Sequence, residues 1–251
     1  LANTPDHAAF YVARANLASQ LNQTDPKPDL LQSVAQDDAN RLTHVELVRH
    51  FQSAGMWQQA MDWIKKITQH WPDDFNLQLL QAKAHLFLLQ PNEAISIMET
   101  TRVLPSENGR ESHHLFESAH LMRAIQLFAK NDFKSARQHV SRSREWPERL
   151  GQGKPYDVDV RMADYLDYRI ALAEGHNSDA EEAAELILIS TGTDFTSPNP
   201  LNLLAADVMR RNGFRKEADD LRTRAKYGLE NANVGLTKML VDQATRMEAS
   251  N

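Results

Sequence analysis

The chain has no cysteine, which removes disulfides, thiolate nucleophiles and Cys-based zinc sites together. Glycine and proline are scarce, 9 and 10 among 251 residues, so long stretches run without the punctuation of turns. Runs of alternating Val, Ile and Thr, the mark of strands, are hard to find. No stretch approaches the roughly 20 consecutive apolar residues that cross a bilayer, so no membrane span is expected. No charged-then-apolar leader opens the chain either, and its start without Met, at Leu1-Ala2-Asn3-Thr4-Pro5, is expected of a piece of a longer polypeptide. Lack of cysteine fits cytosol and periplasm alike, so the compartment stays undefined.

What is abundant points one way. Ala, Leu, Gln, Glu and Arg fill extended segments and lose little on entering a helix, and the predicted class is all-α. With 41% hydrophobic residues the chain can bury a sizeable core. Its formal charge of −6 at pH 7 repels a phosphate backbone, and no nucleic-acid partner is expected.

Laying the chain on itself reveals a repeat. From Arg41 to Asp74, Leu47, Phe51, Gly55, Trp57, Ala60, Ile64, Ile67 and Pro72 fall at the positions of a helix–turn–helix unit of about 34 residues. Gly55 can end the first helix in a conformation other residues avoid. Ala60 sits where two antiparallel helices cross, and Pro72 stops the second helix. The crossing Ala recurs at Ala94, Ala136, Ala180 and Ala218, with a surplus before Ala136 assigned to a connection around Ser106 to Glu111. These residues resemble the tetratricopeptide repeat. The resemblance implies a right-handed superhelical solenoid of about five helix pairs, arranged as one domain over 1–251. In it, 1–40 forms an N-terminal cap, 41–228 the five units and 229–251 a C-terminal capping helix. Pro5 to Leu21 is expected to be an amphipathic helix, and Leu229 to Met247 a terminal helix covering the last repeat, since uncovered solenoid ends expose apolar surface.

The turn-rich stretch Arg144 to Asp157 departs from the repeat and is expected to be an ordered excursion. With Leu104-Pro105-Ser106-Glu107 and Ser143-Arg144-Glu145-Trp146, the segment from Leu104 to Asp167 resembles the helical-repeat tails of large bacterial multidomain proteins. That resemblance implies a module whose partner includes another part of its own parent polypeptide.

Chemical motifs are weak. Gly151-Gln152-Gly153-Lys154 has the glycines of a phosphate loop, but Pro155 stands where a hydroxyl is required, and a turn is the better reading. His113, Glu117 and His120 share a helix face that could hold a divalent ion, yet no fourth ligand is evident, and no metal or cofactor is expected. Asp164, Tyr165, Asp167 and Tyr168 cluster on one helix, either as an acid/base or sugar-binding surface or with Tyr168 packed inside and the aspartates in water. The segment Asp207 to Lys226 carries seven basic and four acidic residues, read as a solvated face or as a basic patch for an acidic partner. No Ser, His and acid suggest a triad, so no enzyme is expected.

By repeat position, the first helix of each pair in a tetratricopeptide array lines a concave groove. The fifth position holds Val45, Leu79, Leu121, Tyr165 and Leu203, and the ninth holds Arg49, Lys83, Ile125, Arg169 and Asp207. The expected partner-binding set is Val45, Arg49, Leu79, Lys83, Leu121, Tyr165 and Arg169, facing an extended peptide or amphipathic helix whose carboxylates meet the basic residues. The competing reading has the fifth-position residues packing against neighbouring helices. Val45 and Arg49 stand where repeats that clamp chaperone tails carry Lys and Asn, so that clamp is not expected. The function expected is a non-catalytic protein-interaction scaffold. The alternative is a helical accessory module of a larger bacterial carbohydrate-related or envelope protein, suggested by Trp146, Tyr156 and Tyr165.

Overall fold

The computed structural model describes residues 7–21, 24–105, 109–192, 199–229 and 235–247. Among them are thirteen α-helices and no strand. Five pairs follow the repeat: α3 (Arg41–Ser53) with α4 (Trp57–Ile67), α5 (Phe75–Phe87) with α6 (Pro91–Thr100), and α7 (Gly109–Phe128) with α8 (Phe133–Ser143). The last two are α9 (Arg161–Glu174) with α10 (Asn177–Thr191) and α11 (Asn202–Arg211) with α12 (Arg215–Leu229). Before them stand α1 (Ala8–Leu21) and α2 (Lys27–Gln36), and after them α13 (Gly235–Thr245). Pro5, Ser106 and Val234, which the expected terminal helices and connection include, lie outside the described residues.

One backbone device repeats through the chain. Five residues before each crossing alanine the backbone is left-handed: Gly55 (φ 70°), Leu89 (59°), Asn131 (58°), Gly175 (77°) and Gly213 (90°). The next amide reaches back across the turn, Met56 to the Phe51 carbonyl at 2.8 Å, Asp132 to Leu127 at 3.1 Å, His176 to Ala171 at 2.9 Å and Phe214 to Met209 at 2.9 Å. This bond satisfies a carbonyl that the ending helix would leave unpaired and turns the chain into the second helix. The crossing residues Ala60, Ala94, Ala136, Ala180 and Ala218 are all buried, and where α3 meets α4, α7 meets α8, α9 meets α10 and α11 meets α12 the small side chain lets the paired axes approach closely. Asn40, Asp74 and Asp132 cap α3, α5 and α8 by accepting from main-chain amides.

The helices cluster into two compact units, one ending at Leu88 and one beginning at Leu89, where the repeat pattern alone gave no reason to divide the chain. The boundary falls inside the second pair, so α5 belongs to the first unit and α6 to the second. The first unit packs Leu30, Val34, Leu47, Val48, Phe51, Ile64, Ile67 and Leu77 into its core, with Trp63 and Trp71 against it. Trp57 stacks on Phe87 with rings 3.9 Å apart. In α1 the expected apolar face is not covered: only Ala15 is buried, and Phe10, Leu17 and Leu21 are exposed. Their spacing does put them on one side of the helix, but α2 and α3 pack against the opposite side, where Ala15 lies.

The second unit buries Leu115, Phe116, Met122, Val140, Leu150, Leu166, Ile187, Leu204 and Val208. Its excursion is ordered. A 3₁₀ turn at Glu148–Leu150 carries the Arg149 carbonyl to the Val103 amide at 2.8 Å and the Leu150 carbonyl to the Ser112 hydroxyl at 2.7 Å.

Candidate binding site

In the second unit the first helices of the pairs are α7, α9 and α11, and α13 packs on α7 and α11. Leu236, Leu240, Val241 and Ala244 form its buried face, spaced as the apolar side of an amphipathic helix. The Thr237 hydroxyl lies 3.1 Å from His114 Nε2 on α7. The expected end cap therefore lies against the first helices of the array, because its apolar stripe and its carbonyl end both find partners there.

Those carbonyls meet Arg169. This guanidinium, 6% exposed, donates to the Ala244 carbonyl at 3.2 Å, to the Met247 carbonyl and to the Tyr165 hydroxyl at 3.0 Å. Tyr165 in turn donates to Asp207 at 2.6 Å, and Asp207 accepts from Arg211 at 2.5 Å. A buried cation is costly unless its donors are satisfied, and the carbonyl end of a helix supplies both acceptors and the negative end of the helix dipole. Phe128 on α7 adds its ring face 5.7 Å from the guanidinium carbon. Burial raises the Tyr165 hydroxyl pKa, so it remains a donor to Asp207.

The remaining members of the expected set divide by position. Val45, Leu79, Leu121 and Tyr165 are buried, so fifth-position side chains pack between helices. Arg49 is exposed and pairs with Glu46 at 2.9 Å, while Lys83 is half-buried. The first unit holds Val45, Arg49, Leu79 and Lys83, and the second holds Leu121, Tyr165 and Arg169.

Beside α13 the second unit opens a cavity of about 830 Å³ lined by α11, α12 and α13. Arg210, Arg211, Arg215, Arg222, Lys226, Lys238 and Arg246 line it against Asp207, Asp219 and Asp242. Most of the mixed-charge segment read from the sequence is this wall. What the sequence did not reveal is that α13 closes it with Lys238 and Arg246.

The weaker motifs resolve into structure. His113 places Nε2 3.0 Å from the Glu145 carbonyl and stacks on Trp146, ring centroids 3.4 Å apart. His120 faces His139, with their Nδ1 atoms 2.9 Å apart. No cluster of three or more metal-ligating side chains occurs among the described residues. Asp164, placed in water by one of the two sequence readings, is buried and pairs with Arg144 at 2.8 Å, because the end of α8 that carries Arg144 packs against α9. Gly151 is left-handed, and a Cβ there would meet the Val103 carbonyl oxygen at 2.8 Å, so this glycine serves close backbone packing. Of the aromatic residues behind the carbohydrate reading, Tyr165 is buried, Trp146 is stacked on His113 and Tyr156 is fully exposed.

No family model matches the chain, and no curated protein matches it. Among solved structures it is similar to a chain of the crystal structure of the APC/C hetero-tetramer Cut9-Hcn1, with 13% identity and a TM-score of 0.53. The match covers 97% of this chain and 43% of that one, so the present chain spans less than half of its neighbour's length. At that identity the likeness shows the fold alone: all-α, of tetratricopeptide-like helical-repeat type.

Proposed function

We propose that this chain is a non-catalytic protein-interaction scaffold whose second unit receives an amphipathic helical segment against α7, α9 and α11. The observation that carries the reading is the seating of α13: its apolar face meets α7 and α11, and its last carbonyls end on the buried Arg169. A surface that satisfies one amphipathic helix in this way fits another of the same pattern, whether from a separate protein or from elsewhere in a longer parent polypeptide. In this reading Leu121 and Tyr165 form the groove floor and Arg169 grips the carbonyl end. In the first unit, where Val45 and Leu79 are packed between helices, Arg49 and Lys83 are the polar contacts for an extended peptide.

The test uses the full chain and a synthetic peptide with the sequence of 235–247. Leu240→Glu places a charge on the apolar face of α13 and disfavours its docking. Titrated by fluorescence anisotropy, the labelled peptide is expected to bind the Leu240→Glu protein saturably and the unaltered protein weakly. Failure of a still-helical Leu240→Glu protein to bind, or equal binding by both proteins, overturns the reading.

A further inference from the structure

We propose that the cavity between α11, α12 and α13 is a second binding site, and that its ligand is an acidic peptide segment whose carboxylates are held by Arg210, Arg215, Arg222 and Arg246. The cavity wall carries a surplus of four positive charges, in a chain whose overall charge is −6. Two of its cations are already engaged, Arg211 with Asp207 at 2.5 Å and Lys238 with Asp242 at 2.6 Å. Arg210, Arg215, Arg222, Lys226 and Arg246 line the same space with no ion pair among the described residues.

The placement of these charges distinguishes a site from a solvated surface. Arg215, Arg222 and Lys226 follow i, i+7 and i+11 spacing, so they share the side of α12 that carries the buried Ala218. This is a surface of the last repeat, where a polar finish keeps the end of an array in water. Solubility alone is served by mixed charge. Here one sign dominates and converges from three helices on one concave space.

The volume, about 830 Å³, suits several residues of a peptide. Leu203, Ala206 and Ala218 give it an apolar floor for intervening side chains, and the guanidinium groups suit carboxylates, which they can grip with two parallel hydrogen bonds. A polynucleotide is disfavoured, because Asp207, Asp219 and Asp242 interrupt the wall and a continuous phosphate track finds no matching stripe. If α13 exchanges with a partner helix, Arg210, Arg215 and Arg222 stay in place on α11 and α12, while Lys238 and Arg246 leave the wall. Because Lys238 on α13 and Arg246 just after it line the cavity, an acidic ligand there favours the docked position of α13.

The experiment measures anisotropy of a fluorescein-labelled peptide of alternating Glu and Leu on the full chain, with a length-matched oligothymidylate and inorganic phosphate as competitors. Expected are saturable binding, about tenfold weakening by Arg210→Glu with Arg222→Glu, no effect of Lys134→Glu on α8, and loss of affinity as salt rises. If the double variant is poorly folded, Arg222→Gln alone gives the reading and is expected to weaken binding several-fold. The proposal is overturned if well-folded variants bind the peptide as the unaltered chain does. It is equally overturned if the oligothymidylate displaces the peptide and binds more tightly, or if no peptide binds at low salt.

Discussion

The guanidinium of Arg169 on α9 donates to the main-chain carbonyl of Met247, 78 residues later in the chain, from a position almost closed to solvent. The bond ties the end of α13 to the middle of the second unit, and among the described residues no carboxylate forms an ion pair with the guanidinium. Its charge is balanced by carbonyls, by the end of a helix dipole and, through Tyr165, by Asp207. Arg169→Glu reverses the charge against these acceptors and is expected to destabilise the second unit by about 3 kcal/mol or more. Arg169→Met keeps much of the volume, and its cost should be smaller. Hydrogen exchange over 235–247, alongside urea unfolding, checks both, and unchanged protection of α13 in Arg169→Glu would refute the role assigned to this residue.

Ala60→Glu buries an unpaired carboxylate where α3 and α4 cross, at a residue with no exposed surface. The expected loss is about 3 kcal/mol or more, read as a collapse of thermal stability. Gln59→Glu, one residue earlier on the exposed side of the same helix, should change stability by no more than about 0.5 kcal/mol. Equal effects of the two changes would show that the crossing has been misplaced.

The repeat was legible because its demands fall on residue types. A crossing needs a small side chain, and alanine stands at all five positions; a left-handed turn favours glycine, which marks Gly55, Gly175 and Gly213. It was less legible at Leu89 and Asn131, where the same backbone occurs without glycine. The seat of α13 left little trace in the sequence. Its apolar spacing predicts a covered face but does not choose between the end of the array and its inner side. That choice rests on contacts such as Arg169 with Met247 and His114 with Thr237, which join residues far apart in the chain. The basic cavity was visible only as mixed charge along α11 and α12, since its third wall is supplied by α13.

Leu89 is a leucine in a left-handed conformation with 52% of its surface exposed. An L-residue with a Cβ pays roughly 1 kcal/mol to sit there, and an exposed side chain returns little of that by burial. Leu89→Gly relieves the strain at some cost in unfolded-chain entropy, and a gain of up to about 1 kcal/mol in stability is expected. Leu89→Val, β-branched and worse suited to this backbone, should lower stability instead. Matching denaturation curves for the two variants would contradict the assigned conformation.

Opposite pH dependences are built into α7. Burial pushes the Glu117 carboxyl up to about 7 from its ordinary 4.5, with repulsion from Asp159 adding to the shift. Burial pulls His120 down to about 4 from 6.5, with His139, Arg142 and Arg149 adding and Glu99 opposing. A carboxyl whose pKa is raised by folding contributes stability below about 4.5 that is lost as pH rises through about 7, while a depressed histidine contributes stability above about 6.5 that is lost as pH falls through about 4. Glu117→Gln keeps the neutral shape and removes the ionisation, so it should add about 1–3 kcal/mol at pH 8 and nothing at pH 4. His120→Gln should flatten the acid limb between pH 6.5 and 4 and leave the alkaline limb as it was. Urea unfolding at pH 4, 5.5 and 8 separates the two effects. A Glu117→Gln gain that is the same at pH 4 as at pH 8 would mean that packing, and not the carboxyl's ionisation, sets the difference.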